Sequence, residues 1–233
     1  MRSIVMTAGC SGCGTAAVTA AVARQLALQG KKVLLVEATA GLQRMNRLLE
    51  IREEGLFDFS DLLEGRCALE NALLPTRIAG LTLLQGPSAI DWVPQAASVQ
   101  LLREELSGTE QYEVLLWYCP PGAGALQKGL LPAAETLVLL TEVTPQSIEA
   151  AAKTADWWAG QGARNLRTVF NRVGRRLPRD LGYPHLDAVL DAIGARLLGM
   201  IPEGADLPYS AATGNIAARL CGESRPLLAV YRP

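Results

Sequence analysis

Residues 9 to 17 read GCSGCGTAA, between the apolar run SIVMTA (3–8) and the alanine-rich stretch AAVTAAVARQLALQG (16–30). A glycine-rich turn between a strand and a helix is a place where backbone N–H groups and the helix dipole attract phosphate. Gly9, Gly12 and Gly14 supply the backbone freedom such a nest needs, yet the loop has no lysine. Its side chains are instead Cys10, Ser11, Cys13, Thr15, Ala16 and Ala17. Cys10 and Cys13 form a C-x-x-C at a helix N-terminus, where the dipole favours the thiolate. Cys119, in WYCPPG, follows a second apolar run that the same crevice would adjoin. Cys10, Cys13 and Cys119 together pose a low-coordinate soft-metal site or a redox pair. The plainer alternative is that cysteine here is only a small residue in a loop no longer shaped by phosphate.

Those residues need elements to hold them. Short, nearly continuous apolar runs recur at SIVMTA (3–8), KVLLVE (32–37), LTLLQG (81–86), EVLLWY (113–118), TLVLLTEV (136–143), LRTVFNR (166–172) and LLGMIP (197–202). Runs without polar alternation suit strands buried on both faces of a parallel sheet. Helical spacing between them, as in 16–30 and 147–162, each ending in glycine, predicts strand–helix alternation. The expected fold is α/β, a doubly wound, mostly parallel sheet with helices on both faces. No linker or repeat interrupts residues 1–233, so one domain is expected.

Composition narrows the function. A net charge of -1 gives no electrostatic footprint for nucleic acid or anionic lipid. The five cysteines are odd in number and irregularly spaced, with no leader ahead of them, which predicts a reducing, cytoplasmic location. No apolar run approaches the roughly 20 residues that span a bilayer.

TAGCSGCGTAA, VEATAGLQRMN, WYCPPGAG and FDFSDLLEGRCALENALL (57–74) stand in an order that resembles the MinD/ParA family of P-loop ATPases, and its MinD branch most. The resemblance runs from Ser3 to about Gly222. It implies a P-loop fold, an ATP site and a role in cell division or partition. The family's loop reads K-G-G-x-G-K-T-T. Here Cys10 replaces the first lysine, Thr15 the second, and Ala16 and Ala17 the threonines. After the second strand the family has D-x-D, against Glu37, Ala38 and Thr39 here; its later D-S-P-A-G aspartate has become Tyr118, in the stretch Tyr118, Cys119, Pro120, Pro121 and Gly122. Asn171 and PEGADLP (202–208) match the family's adenine side. The resemblance therefore implies a vestigial nucleotide site of Gly9, Gly12, Gly14, Thr15 and Asn171, with no catalytic residues, no metal and no cofactor. Any ATP or ADP would bind weakly and without magnesium.

Phosphoryl transfer depends on positioning and electrostatic stabilisation, and one well-placed contact is worth about 2.7–4 kcal/mol of barrier. The expectation is a pseudo-ATPase acting as a binding or scaffold protein on unidentified protein partners. A nucleotide switch without efficient hydrolysis is the alternative. The closing segment GNIAARLCGESRPLLAVYRP lacks the basic amphipathic run of the family's membrane helix, so no direct membrane insertion is expected. Any homodimer should be nucleotide-independent and use another surface, such as the one around Trp157 or Trp158. His185, the only histidine, reads as surface packing, and Arg172, Arg175, Arg176 and Arg179 as a basic loop.

Overall fold

The structure, a computed structural model, describes residues 1–40, 44–53, 55–176 and 181–227. Strand β1 (Arg2–Ala8) leads through the glycine-rich loop into α1 (Thr15–Leu28), and β2 (Val33–Glu37) follows. Next come α2 (Arg44–Leu48), α3 (Phe59–Leu63), α4 (Leu69–Ala72), β3 (Leu73–Pro75), β4 (Leu81–Leu84) and α5 (Ala96–Gly108). The chain continues through β5 (Val114–Tyr118), α6 (Ala125–Gly129), β6 (Thr136–Glu142), α7 (Pro145–Gly160) and β7 (Leu166–Val173). It closes with α8 (Leu186–Ile193), β8 (Arg196–Pro202) and α9 (Ala211–Leu220).

The strands form one sheet in the order β3-β4-β2-β5-β1-β6-β7-β8. Every pairing is parallel except that of β3 with β4. All seven apolar runs of the sequence become strands. The eighth, β3, corresponds to none of those runs. It is three residues long and lies at the end of a segment with helical spacing, so its pattern carries no period-2 signal. An antiparallel edge strand on a parallel sheet is a common arrangement.

Successive residues of the central strands point to opposite faces. Val5, Trp117, Leu139 and Phe170 face one apolar layer, which is closed by α3, α4, α5, α7 and α8. Ile4, Met6, Leu35, Leu116 and Tyr118 face the other, under α1, α2 and α9. The alanines of α1 let it lie close to the sheet while keeping high helix propensity. Its chain turns out at Gly30, whose φ of 83° suits the residue after a helix. β1 sits between β5 and β6, where chain connections diverge to either side, and ligands in such sheets bind beyond the carboxyl ends of the strands at that point. The glycine-rich loop follows β1 directly.

Candidate functional site

The loop is shaped by glycine where a side chain would be strained. Gly12 has φ 93° and Gly14 φ 82°, both in the left-handed region, and Gly14 caps the start of α1. Gly9 is needed for a different reason: a Cβ there would come within 2.4 Å of the Ala150–Ala151 backbone in α7. Gly9 therefore seats the loop on α7 and lies outside the pocket lining.

The loop is also held from behind. Asn171 Nδ2 donates to the Cys13 carbonyl at 2.8 Å, and Arg172 Nη1 donates to the Gly12 carbonyl at 2.9 Å. The same Arg172 nitrogen reaches Glu142 Oε1 at 2.6 Å. Arg172 has φ 53°, and the β7–β8 register is broken between Phe170 and Val173. That irregularity turns two consecutive residues of β7 toward the loop. Asn171 is 3% exposed and does not line the pocket, so its place is as a clamp under the loop.

In front of the loop lies a pocket of about 530 Å³. Ser11, Gly12, Gly14, Thr15, Ala16 and Ala17 form its floor. Tyr118, Pro121, Leu48 and Arg47 form its wall. Tyr118 is buried, and its backbone pairs in register with Met6 on one side and Glu37 on the other. Glu37 is fully buried and does not line the pocket. Among the described residues Arg47 is its one charged lining residue. The sequence offered no cue for it; folding of α2 onto α1 brings it to the loop.

The thiols separate into two groups. Cys10 and Cys13 have their sulfurs 3.3 Å apart, and the Ser147 hydroxyl lies 3.4 Å from Cys13 Sγ and 3.7 Å from Cys10 Sγ. Burial pushes the Cys13 thiol up, with Ser147 hydrogen bonding working against it, so the expected net gain from the helix dipole is not realised there. Cys119 does not join them. It packs in the opposite apolar layer from Cys13, its thiol donates to the Pro120 carbonyl at 3.4 Å, and burial pushes its pKa up to about 12. The three-thiol set is thus corrected to a pair by the pleat of β5. Among the described residues no group of three or more His, Cys, Asp or Glu side chains is placed to hold a metal ion.

Other sequence features resolve as follows. His185 caps α8, its Nδ1 accepting the Ala188 N–H at 3.2 Å. Trp158 is fully buried and Trp157 packs edge-on to it at 5.5 Å, so Trp158 is excluded as a contact surface. Arg179 and residues 228–233 of the closing segment lie outside the described residues. No helix among the described residues is long and apolar enough to cross a membrane.

No protein-family model matches the chain. Individual relatives do. A protein assigned as septum site-determining protein MinD of Oltmannsiellopsis viridis is 31% identical over 210 residues, covering 87% of this chain and 64% of its own length. Its counterpart in Tupiella akineta is 29% identical over 205 residues, with 87% and 66% covered. The chain thus spans about two thirds of the length of these two relatives. Its fold matches the chain in the MinC:MinD cell division protein complex of Aquifex aeolicus with a TM-score of 0.85, at 27% identity, over 98% of this chain and 99% of that one.

This chain belongs to the MinD/ParA family. Its glycine-rich turn after β1 is the P-loop of that fold, and the pocket before it is where a P-loop protein presents backbone amides to an anion. Within this MinD/ParA member, Gly12, Gly14 and Thr15 from the sequence-based set line that pocket, while Gly9 and Asn171 position the loop.

Proposed function

We propose that this chain is a MinD-like pseudo-ATPase: a binding or scaffold protein of cell division or partition that works through protein partners without hydrolysing ATP. The observation that carries the reading is the pocket lining. Among the described residues no lysine and no carboxylate lines the pocket; the side-chain oxygens of its lining are the hydroxyls of Ser11, Thr15 and Tyr118. Magnesium is held by hard oxygen donors, usually including a carboxylate, so this donor set does not fit the ion. Without lysine or metal, little is left to stabilise charge on a transferred phosphoryl group. The relatives' role in septum placement, and the MinC partner in the Aquifex complex, support a protein partner in the same process. A cytoplasmic location accords with that role.

A second reading is favoured by Arg47 and the two left-handed glycines. A cation facing a backbone nest can hold a phosphate tail without magnesium, giving a switch that runs on binding alone. Calorimetric titration with ATP and ADP, with and without Mg²⁺, separates the two. The scaffold reading expects no Mg²⁺-dependent heat and no phosphate release above buffer. Weak binding that is indifferent to Mg²⁺ and lost in Arg47→Ala selects the second reading, and Mg²⁺-dependent turnover removes both.

A further inference from the structure

We propose that Cys10 and Cys13 are a dithiol modification site, closed to an intrachain disulfide by low-molecular-weight disulfides of the glutathione class. Their sulfurs already touch at 3.3 Å, and a disulfide bond is about 2.04 Å long, so closure needs a shift of little more than an ångström across a four-residue turn. The turn tolerates that shift, because Gly12 sits between the two thiols at φ 93° with no heavy atom within 4 Å of where a Cβ would stand.

The two thiols have different exposure, and this assigns their roles. Cys10 is half-buried and open to a small reagent, whereas Cys13 is 3% exposed. The Cys10 thiolate attacks one sulfur of glutathione disulfide, breaking that bond and releasing one glutathione thiolate. The Cys13 thiolate then attacks the Cys10 sulfur, breaks the mixed disulfide and expels the second glutathione. Two electrons pass from the two cysteines to the reagent, and their two protons end on the two glutathione thiols. The second step is intramolecular between atoms in contact, which favours ring closure over a lasting mixed disulfide. Ser147 serves this step. Its hydroxyl accepts the Glu142 N–H at 3.0 Å and lies 3.4 Å from Cys13 Sγ, within reach to hydrogen-bond the sulfur as it turns anionic. The other cysteines lie elsewhere: Cys119 is buried in the opposite layer, Cys67 falls between α3 and α4, and Cys221 follows the end of α9.

The test equilibrates the whole folded chain in glutathione–glutathione disulfide buffer, followed by acid quench, intact mass and a tryptic map. Residues 3–24, bounded by Arg2 and Arg24, form one tryptic peptide that carries both thiols. The expected result is a chain lighter by two hydrogens, with that loss in peptide 3–24 and reversed by dithiothreitol. In Cys13→Ser the loss should vanish, and Cys10 should carry a glutathionyl group instead. The wild-type map stands on its own if a variant fails to fold. An unchanged mass, a stable glutathione adduct on wild-type Cys10, or a disulfide that links chains or uses Cys67, Cys119 or Cys221 overturns the proposal.

Discussion

At the level of single residues, the loop is a backbone object whose shape depends on a few side chains behind it. Asn171 shows this most directly, since its amide holds the buried Cys13 carbonyl and its nitrogen would stand 2.7 Å from a Cβ at Gly14. Asn171→Ala leaves that carbonyl without its side-chain donor, at a cost of about 1–3 kcal/mol. Urea denaturation should register a fall of that size with an unchanged slope; a loss below a few tenths of a kcal/mol would show the clamp to be incidental. Arg172, by contrast, is more than half exposed at its side chain, and its ion pair with Glu142 contributes about 0–1 kcal/mol.

At the level of elements, short helices survive here because their ends are tied down. α3 has only five residues, below what isolated helices sustain. Asp58 caps it, accepting the Ser60 and Asp61 N–H groups, and also accepts the Ser88 N–H at 2.9 Å and its hydroxyl at 3.0 Å. Burial works against the charged carboxylate, but these hydrogen bonds outweigh it and hold the Asp58 pKa below its ordinary value of 3.8. A pKa lowered by folding contributes stability that is complete above the unfolded value and lost as pH falls through the folded one. Stability should therefore decline below about pH 4, and Asp58→Asn should flatten that acid limb while lowering stability at pH 7. Parallel acid limbs in the two proteins would contradict the assignment.

At the level of the whole molecule, the resemblance implies an ATP-sandwich dimer in which a lysine of each subunit meets the partner's phosphates. Cys10 occupies that lysine's place in this chain. Cysteine carries no positive charge to offset phosphate, and like charges brought together in an interface cost several kcal/mol. Light scattering should show the same mass with and without ATP. Cys10→Lys alone should not change that result, because Thr15 and Tyr118 still line the pocket before the loop. A monomer-to-dimer shift seen only with ATP would sink the scaffold reading.

The parallel sheet was legible in the sequence, because strands buried on both faces must read as unbroken apolar runs, and those runs lie where β1, β2 and β4 through β8 formed. The sequence also identified the family, through loop order and glycine placement, and the absence of lysine from GCSGCGTAA. It could not reveal β3, whose three residues are recruited only by pairing with the finished edge of β4. Which residues face the pocket was likewise a tertiary decision. Asn171 sits behind the loop because of an irregularity in β7, and Arg47 reaches the front because α2 packs under α1. The cysteines show the same division. Their spacing along the chain was plain, but the pleat sends Cys119 into one apolar layer and leaves Cys10 and Cys13 in contact beside the other, and that choice of face is made only when strands from distant parts of the chain assemble.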